Sequence, residues 1–245
     1  RWAPFLARFP TPSACAAAPV AEVLRLWSGL GYNRRAVALH ACATAVVDRH
    51  GGTLPRDLTA LQELPGIGPY TARAVAVFAF ELHHGVVDTN AARVLARWHG
   101  RALSAREAQD AADAQVPGGR AWAWNQAVLD LGADVCVRRA PRCSDCPVSG
   151  ACAWARSGLA APDPADGSAG VSGGQSRFAG SDRQGRGRLV EALRSGDVPV
   201  ARVAEVMGWQ DDPRRAERVA AGVVADGLAG RSRGRYHLPV GPRRP

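Results

Sequence analysis

Four cysteines fall within seventeen positions, spaced Cys136-x6-Cys143-x2-Cys146-x5-Cys152. Thiolates gathered in one short loop can wrap a single centre, either a tetrahedral zinc or a four-iron cluster. Spacing alone leaves both open. Zinc ribbons usually pair two C-x2-C knuckles, and here there is one. Arg138, Arg139 and Arg142 sit inside the loop, where a bound metal would fix them as phosphate contacts or they would simply be solvated. The other two cysteines, Cys15 and Cys42, fall singly in helical patterns and read as buried small apolar residues.

A second chemical feature is the stretch LPGIGPYTARAV, residues 64–75. Gly66 and Gly68 allow positive φ and a close backbone approach, and Pro69 opens a helix. The N–H groups of Ile67, Tyr70, Thr71 and their neighbours can then hold a phosphate at the helix start, aided by the helix dipole. A third feature follows in GVVDTNAARVLARW, where Asp88 precedes a helix and Asn90 stands two residues on. Taken alone Asp88 is an N-cap. Beside a phosphate clamp and a thiolate loop it becomes a candidate acid.

The formal net charge of +9 over 245 residues favours a polyanionic partner, nucleic acid first. All 31 basic side chains are Arg, so no side-chain amine exists for Schiff-base chemistry. Apolar runs are too short to span a membrane, and the chain reads as soluble. RWAPFLARFP reads as the inside of a helix rather than a leader, so the natural N-terminus is expected upstream.

The elements that must position these groups are helices. Periodicity predicts them at 20–30, 33–49, 57–63, 69–82, 89–98, 104–114 and 119–132, separated by Gly and Pro breaks, with almost no strand signal. Residues 1–155 therefore form an all-α domain carrying the cysteine loop 136–152. Residues 156–176 are Gly/Ser/Ala/Pro/Asp-rich and read as a flexible linker. From 177 to 245 three helical segments precede a basic, Gly-containing hairpin, the order of a winged helix, with 14 Arg against 8 acidic residues.

Together LPGIGPYTA, VDTN and the four-cysteine spacing resemble the helix-hairpin-helix DNA glycosylases that carry a four-iron, four-sulfur cluster. LWSGLGYNRRAVALH (26–40) and WNQAVLDLGADVC (124–136) resemble the MutY-type adenine DNA glycosylases more than the endonuclease III branch. The FAGSDRQGRGRL segment resembles the actinobacterial form. The resemblance covers residues 1–155. It implies a 4Fe-4S cluster on Cys136, Cys143, Cys146 and Cys152, with zinc as the alternative. It implies excision of adenine mispaired with 8-oxoguanine or guanine in double-stranded DNA, by a monomeric bacterial enzyme acting on the nucleoid in the cytoplasm.

Under that resemblance Asp88 is the carboxylate that stabilises the sugar cation, and Asn90 orients it. Trp27 and Gln126 belong to the adenine pocket, and Tyr32 to the lesion side. Gly66, Ile67, Gly68, Tyr70, Thr71, Arg138 and Arg139 contact DNA. Three departures from the family carry expectations. Tyr70 stands where a lyase carries Lys, so the enzyme stops at base removal. One of the two adjacent aromatics of the family's GLGYY segment wedges beside the lesion; here the pair is Tyr32-Asn33, so the resemblance leaves the wedge open. The Glu that protonates adenine and the adjoining Gln-Gln-Thr lie, in the family, upstream of the first residue. Glu22, Glu63 and Glu81 occupy no matching motif, so this stretch alone should bind a mispair yet excise poorly compared with a chain extended upstream. Two other functions stay in view: an endonuclease III-like enzyme for pyrimidine lesions, and a DNA-binding fragment without catalysis.

Overall fold

The computed structural model describes residues 2–168 and 177–240. Residues 169–176 of the expected linker and the last five residues of the expected C-terminal domain lie outside them. The helices are α1 (Trp2–Arg8), α2 (Pro12–Ala17), α3 (Val20–Leu26), α4 (Arg34–His50), α5 (Leu58–Gln62), α6 (Pro69–Phe80), α7 (Thr89–His99), α8 (Ala105–Gln115), α9 (Ala121–Asp130) and α10 (Ala153–Arg156). They continue with α11 (Asp182–Ser195), α12 (Val203–Met207) and α13 (Pro213–Ala225). Three short strands, β1 (Val198–Pro199), β2 (Gly230–Ser232) and β3 (Arg235–His237), form an antiparallel sheet in the order β1-β3-β2. None of the described helices is long and apolar enough to cross a membrane.

Local chemistry accounts for the helix ends. Ser104 and Glu107 form a capping box at the start of α8, and these bonds pull the Glu107 carboxyl down to about 2. Gly51 and Gly100, with φ of 59° and 67°, close α4 and α7 in the left-handed conformation. Helix α3 stops at Leu26, four residues before its apolar pattern does, because Gly29, Gly31 and Tyr32 all take positive φ. Trp27 therefore stands on a turn. The predicted order of the C-terminal segment is present, with one addition. Strand β1 enters between α11 and α12 and pairs Val198 with Tyr236, a two-residue strand too short to leave a period-2 signal. The β2–β3 turn is Arg233-Gly234, both at positive φ as a tight hairpin turn requires.

The chain divides into two compact units. One comprises residues 2–55, 63–66 and 177–240, the other 56–62 and 67–168. These units do not follow the breaks in composition. In the first, Val23 and Leu24 of α3 share an apolar cluster with Leu189, Val190 and Leu193 of α11 and with Val219 and Val223 of α13. Each such fully buried side chain contributes roughly 1.5–3 kcal/mol, so residues 177–240 are packed as part of that core. In the second unit, Leu95 and Ala96 of α7 pack with Leu103, Ala108 and Ala112, while Val77, Val86, Val116 and Ala121 form a neighbouring cluster.

Residues 157–168, read from composition as linker, are anchored in the second unit. Asp163 pairs with Arg97 at 2.6 Å, and the buried Ser168 hydroxyl accepts the Leu103 N–H at 3.2 Å. Small polar residues leave no apolar period, so composition does not register a segment held by an ion pair.

Candidate active site

Asp88 caps α7. Its Oδ1 accepts the main-chain N–H groups of Asn90 at 2.8 Å and Ala91 at 2.7 Å, and its Oδ2 accepts the Asn90 carboxamide at 3.3 Å. The segment leading to it is pinned by Asn125, which is fully buried on α9. Asn125 Oδ1 accepts the Val86 N–H at 2.6 Å, and its amide donates to His84 and Ala121 carbonyls. Gly85 is needed there, since a Cβ would stand 2.5 Å from the Ala112 Cβ and 2.7 Å from that residue's carbonyl carbon. Asp88 thus has a fixed carboxylate on a fixed backbone.

Behind Asn90 lies Arg93, only 6% exposed. Its guanidinium donates to Asn90 Oδ1 at 2.8 Å, to Gly132 O at 2.5 Å and to Cys136 O at 2.6 Å. Burial draws its pKa below the usual arginine range against the opposing pull of the Cys136 thiol. One turn on, Arg97 is 2% exposed and stacks over the Trp154 ring at 4.8 Å. It donates to the Asp163 carboxylate, to the Val137 carbonyl and to Cys136 Sγ at 3.3 Å. Burial lowers the Arg97 pKa, and the bonds to Asp163 and Cys136 more than restore it. Helix α9 ends in a π-type turn at Leu131–Val135, which carries Gly132 against Asn90. A Cβ on Gly132 would lie 2.7 Å from Asn90 Cβ and 2.9 Å from its carbonyl oxygen.

The four loop cysteines form no disulfide and line one small cavity with Arg97, Arg142 and Trp154. Burial and the neighbouring thiols of Cys136, Cys146 and Cys152 raise the Cys143 pKa. Among the described residues no three Cys, His, Asp or Glu side chains converge as the donors of one metal ion. The donor set, four thiols lining one cavity beside a guanidinium, fits a thiolate-bound metal centre. Arg142 donates to the Asp134 carbonyl and so braces the loop. Arg138 and Arg139 are exposed, and the Arg138 carbonyl accepts from Arg97 at 3.2 Å.

At the glycine turn the two glycines differ. Gly66 has φ of 77°, and a Cβ there would meet Ala38 Cβ at 2.6 Å. Gly68 is extended, at φ −87°, with open space where a Cβ would stand. Only Gly66 needs the left-handed conformation; Gly68 leaves room on the solvent side of the α6 start. Tyr70, on the first turn of α6, is 47% exposed, and partial burial together with the Asp88 charge raises its hydroxyl pKa. Tyr70 and Asp88 therefore share one electrostatic environment. Thr71 and Ile67 are half-buried.

Trp27 donates its indole N–H to Gly31 O at 2.9 Å and lies edge-on to Phe5. Gln126 donates to Asp130 one turn along α9 at 2.8 Å. Tyr32 is 68% exposed. Trp27 and Tyr32 belong to the first unit and Gln126 to the second. Sequence reasoning missed Arg93, Arg97, Asn125, Gly132 and Asp163. A signal did exist for the arginines: they are spaced i,i+4 among the buried residues Ala91–Ala96 of α7, where a solvated charge does not belong.

Residues 1–117 match the HhH-GPD superfamily of base excision DNA repair proteins. Over 245 aligned residues the chain is 43% identical to the adenine DNA glycosylase of Mycobacterium tuberculosis, covering 97% of this chain and 78% of that protein. Among solved structures it resembles a thermostable thymine-DNA glycosylase (TM-score 0.58, 28% identity, 64% of this chain and 75% of that one). It also resembles endonuclease III trapped as a covalent intermediate on DNA (TM-score 0.54, 25% identity, 63% and 74%). The chain belongs to the HhH-GPD superfamily of base excision DNA repair proteins.

Proposed function

We propose that this protein is an adenine DNA glycosylase, hydrolysing the N-glycosidic bond of adenine mispaired with 8-oxoguanine or guanine and leaving the strand intact. The observation that carries this is the Asp88 carboxylate, held at the start of α7 by two main-chain N–H groups and Asn90; on the resemblance, Tyr70 stands where a lyase carries its amine.

The duplex is gripped through its phosphates, by the α6 start beyond Gly66 and Gly68 and by Arg138 and Arg139. Extrusion of the adenine exposes its bond to deoxyribose. As the C1′–N9 bond breaks, its electron pair leaves with the base, which takes a proton, and positive charge grows on the sugar. Asp88 stabilises that charge, a role like the sugar-side carboxylate of a glycosidase. Water adds at C1′ and gives up a proton. Since Asp88 is already oriented, little reorganisation is needed in the transition state. In the second unit Gln126 serves adenine recognition, and in the first Trp27 and Tyr32 serve mispair recognition.

Cys136, Cys143, Cys146 and Cys152 would hold a 4Fe-4S cluster, which would fix the loop bearing Arg138 and Arg139. Four thiolates in one loop suit either centre, and the resemblance favours the cluster over zinc. The enzyme acts as a monomer on nucleoid DNA in the cytoplasm.

The test is a single-turnover excision assay on an adenine·8-oxoguanine duplex, run with this chain and with one extended upstream, with iron quantified in parallel. An abasic product cleaved only after alkali is expected. Intact adenine with both chains overturns the assignment, and strand cleavage without alkali transfers it to a bifunctional enzyme.

A further inference from the structure

Asn33 stands at the N-cap of α4, yet makes no side-chain capping bond. An asparagine there ordinarily accepts an N–H of its own helix. Its Oδ1 instead accepts the Arg194 guanidinium at 2.8 Å, from the last turn of α11. The same guanidinium donates through Nε to the Leu24 carbonyl at 2.9 Å, near the end of α3. One side chain, 8% exposed, therefore ties both ends of the loop formed by residues 27–33. Glu191, one turn earlier on α11, bonds Arg194 and accepts the Ser28 hydroxyl at 3.2 Å inside that loop. The loop turns through Gly29 and Gly31 at φ of 79° and 66°, which glycine adopts freely, and is strained at Tyr32, whose φ of 45° is uncommon for a bulky residue. Such a conformation persists only where its surroundings over-determine it, and here those surroundings are supplied from 160 residues away in sequence.

We infer that Arg194 is a positioning residue for mispair recognition: the C-terminal segment acts by holding loop 27–33, with Trp27 and Tyr32, in its DNA-reading conformation. The inference rests on the adenine-mispair reading above, which gives Trp27 and Tyr32 their duties. Helix α4 forgoes its cap to complete the clamp. Planar, bidentate geometry explains the use of Arg, since Nε and Nη2 reach two acceptors at once.

The experiment compares the protein with its Arg194→Ala, Arg194→Lys and Asn33→Ala variants. Hydrogen exchange is followed over residues 27–33, and affinities are measured for an adenine·8-oxoguanine duplex and a fully matched one. Arg194→Ala should speed exchange in the loop about tenfold and cut the mispaired-to-matched affinity ratio about fivefold, leaving matched-duplex affinity within about twofold. Asn33→Ala, which keeps Arg194 and the α3 contact, should shift both readouts the same way by a smaller factor. Arg194→Lys should restore only part of the ratio, having one point donor for two acceptors. Unchanged loop exchange in both Arg194→Ala and Asn33→Ala overturns the clamp. A parallel fall in both affinities overturns positioning in favour of plain phosphate contact. An unsubstituted protein with no preference for the mispair overturns the adenine-mispair reading itself, whatever the exchange rates.

Discussion

Arg93 Nη2 donates to Asn90 Oδ1 at 2.8 Å, and this bond decides which way the asparagine amide faces. A guanidinium has only donors, so the Asn90 oxygen must turn toward Arg93 and its NH2 toward Asp88. Arg93→Met removes that constraint and leaves the Gly132 and Cys136 carbonyls short of a buried donor. The variant should lose about 2–4 kcal/mol in urea unfolding, and single-turnover excision should fall with it. Unchanged stability would mean that the arginine's bonds do not hold the loop to α7.

Asp88→Asn separates capping from chemistry. Asn is as good an N-cap as Asp, so unfolding should shift by no more than about 0.5 kcal/mol. Loss of the carboxylate beside the sugar should slow adenine excision by roughly a thousandfold or more. Excision at an undiminished rate would reassign the acid.

Tyr70→Lys supplies the missing amine on the first turn of α6, beside Asp88. A lysine there could attack C1′ and form a Schiff base, so borohydride should trap protein on DNA and strand breaks should appear without alkali. Neighbouring Asp88 favours the charged ammonium, so the yield of adduct should rise with pH. Absence of any trapped adduct across that range would show that Tyr70 does not face the sugar.

Acid sensitivity should trace to Asp163. Burial raises its carboxyl pKa, but the Arg97 bonds and the Ala165 N–H outweigh that and hold it below the ordinary range. A depressed folded-state pKa contributes stability above the unfolded value, near 3.9, and loses it as pH falls through the folded one. Asp163→Asn should therefore cost about 1–3 kcal/mol at pH 7, with the gap closing below about pH 4. Urea unfolding at several pH values measures it, and a gap independent of pH would remove the ion pair as its cause.

The helices around the site were legible because their apolar periods are long and their ends are marked by Gly, Pro, Ser and Asp. Asp88 at the start of α7 is such a mark. The apolar pattern of α3 runs on to residue 30, through residues whose backbone turns away, and so overstates the helix. Arg194 at the end of α11 could not be read as a partner of Asn33, since no local pattern pairs residues 161 positions apart.

By itself the sequence determined the local chemistry: a tight turn before a helix, an acid at the next helix start, four thiols in one loop and no lysine. Those features follow from residue type and short spacing, which the chain carries wherever it goes. Tertiary packing alone decided that Arg93 and Arg97 serve inward, that Asp163 ties down the segment beyond the cysteines, and that α11 braces loop 27–33. Each of those depends on a buried charge finding distant acceptors, a condition met only once the core has closed around it.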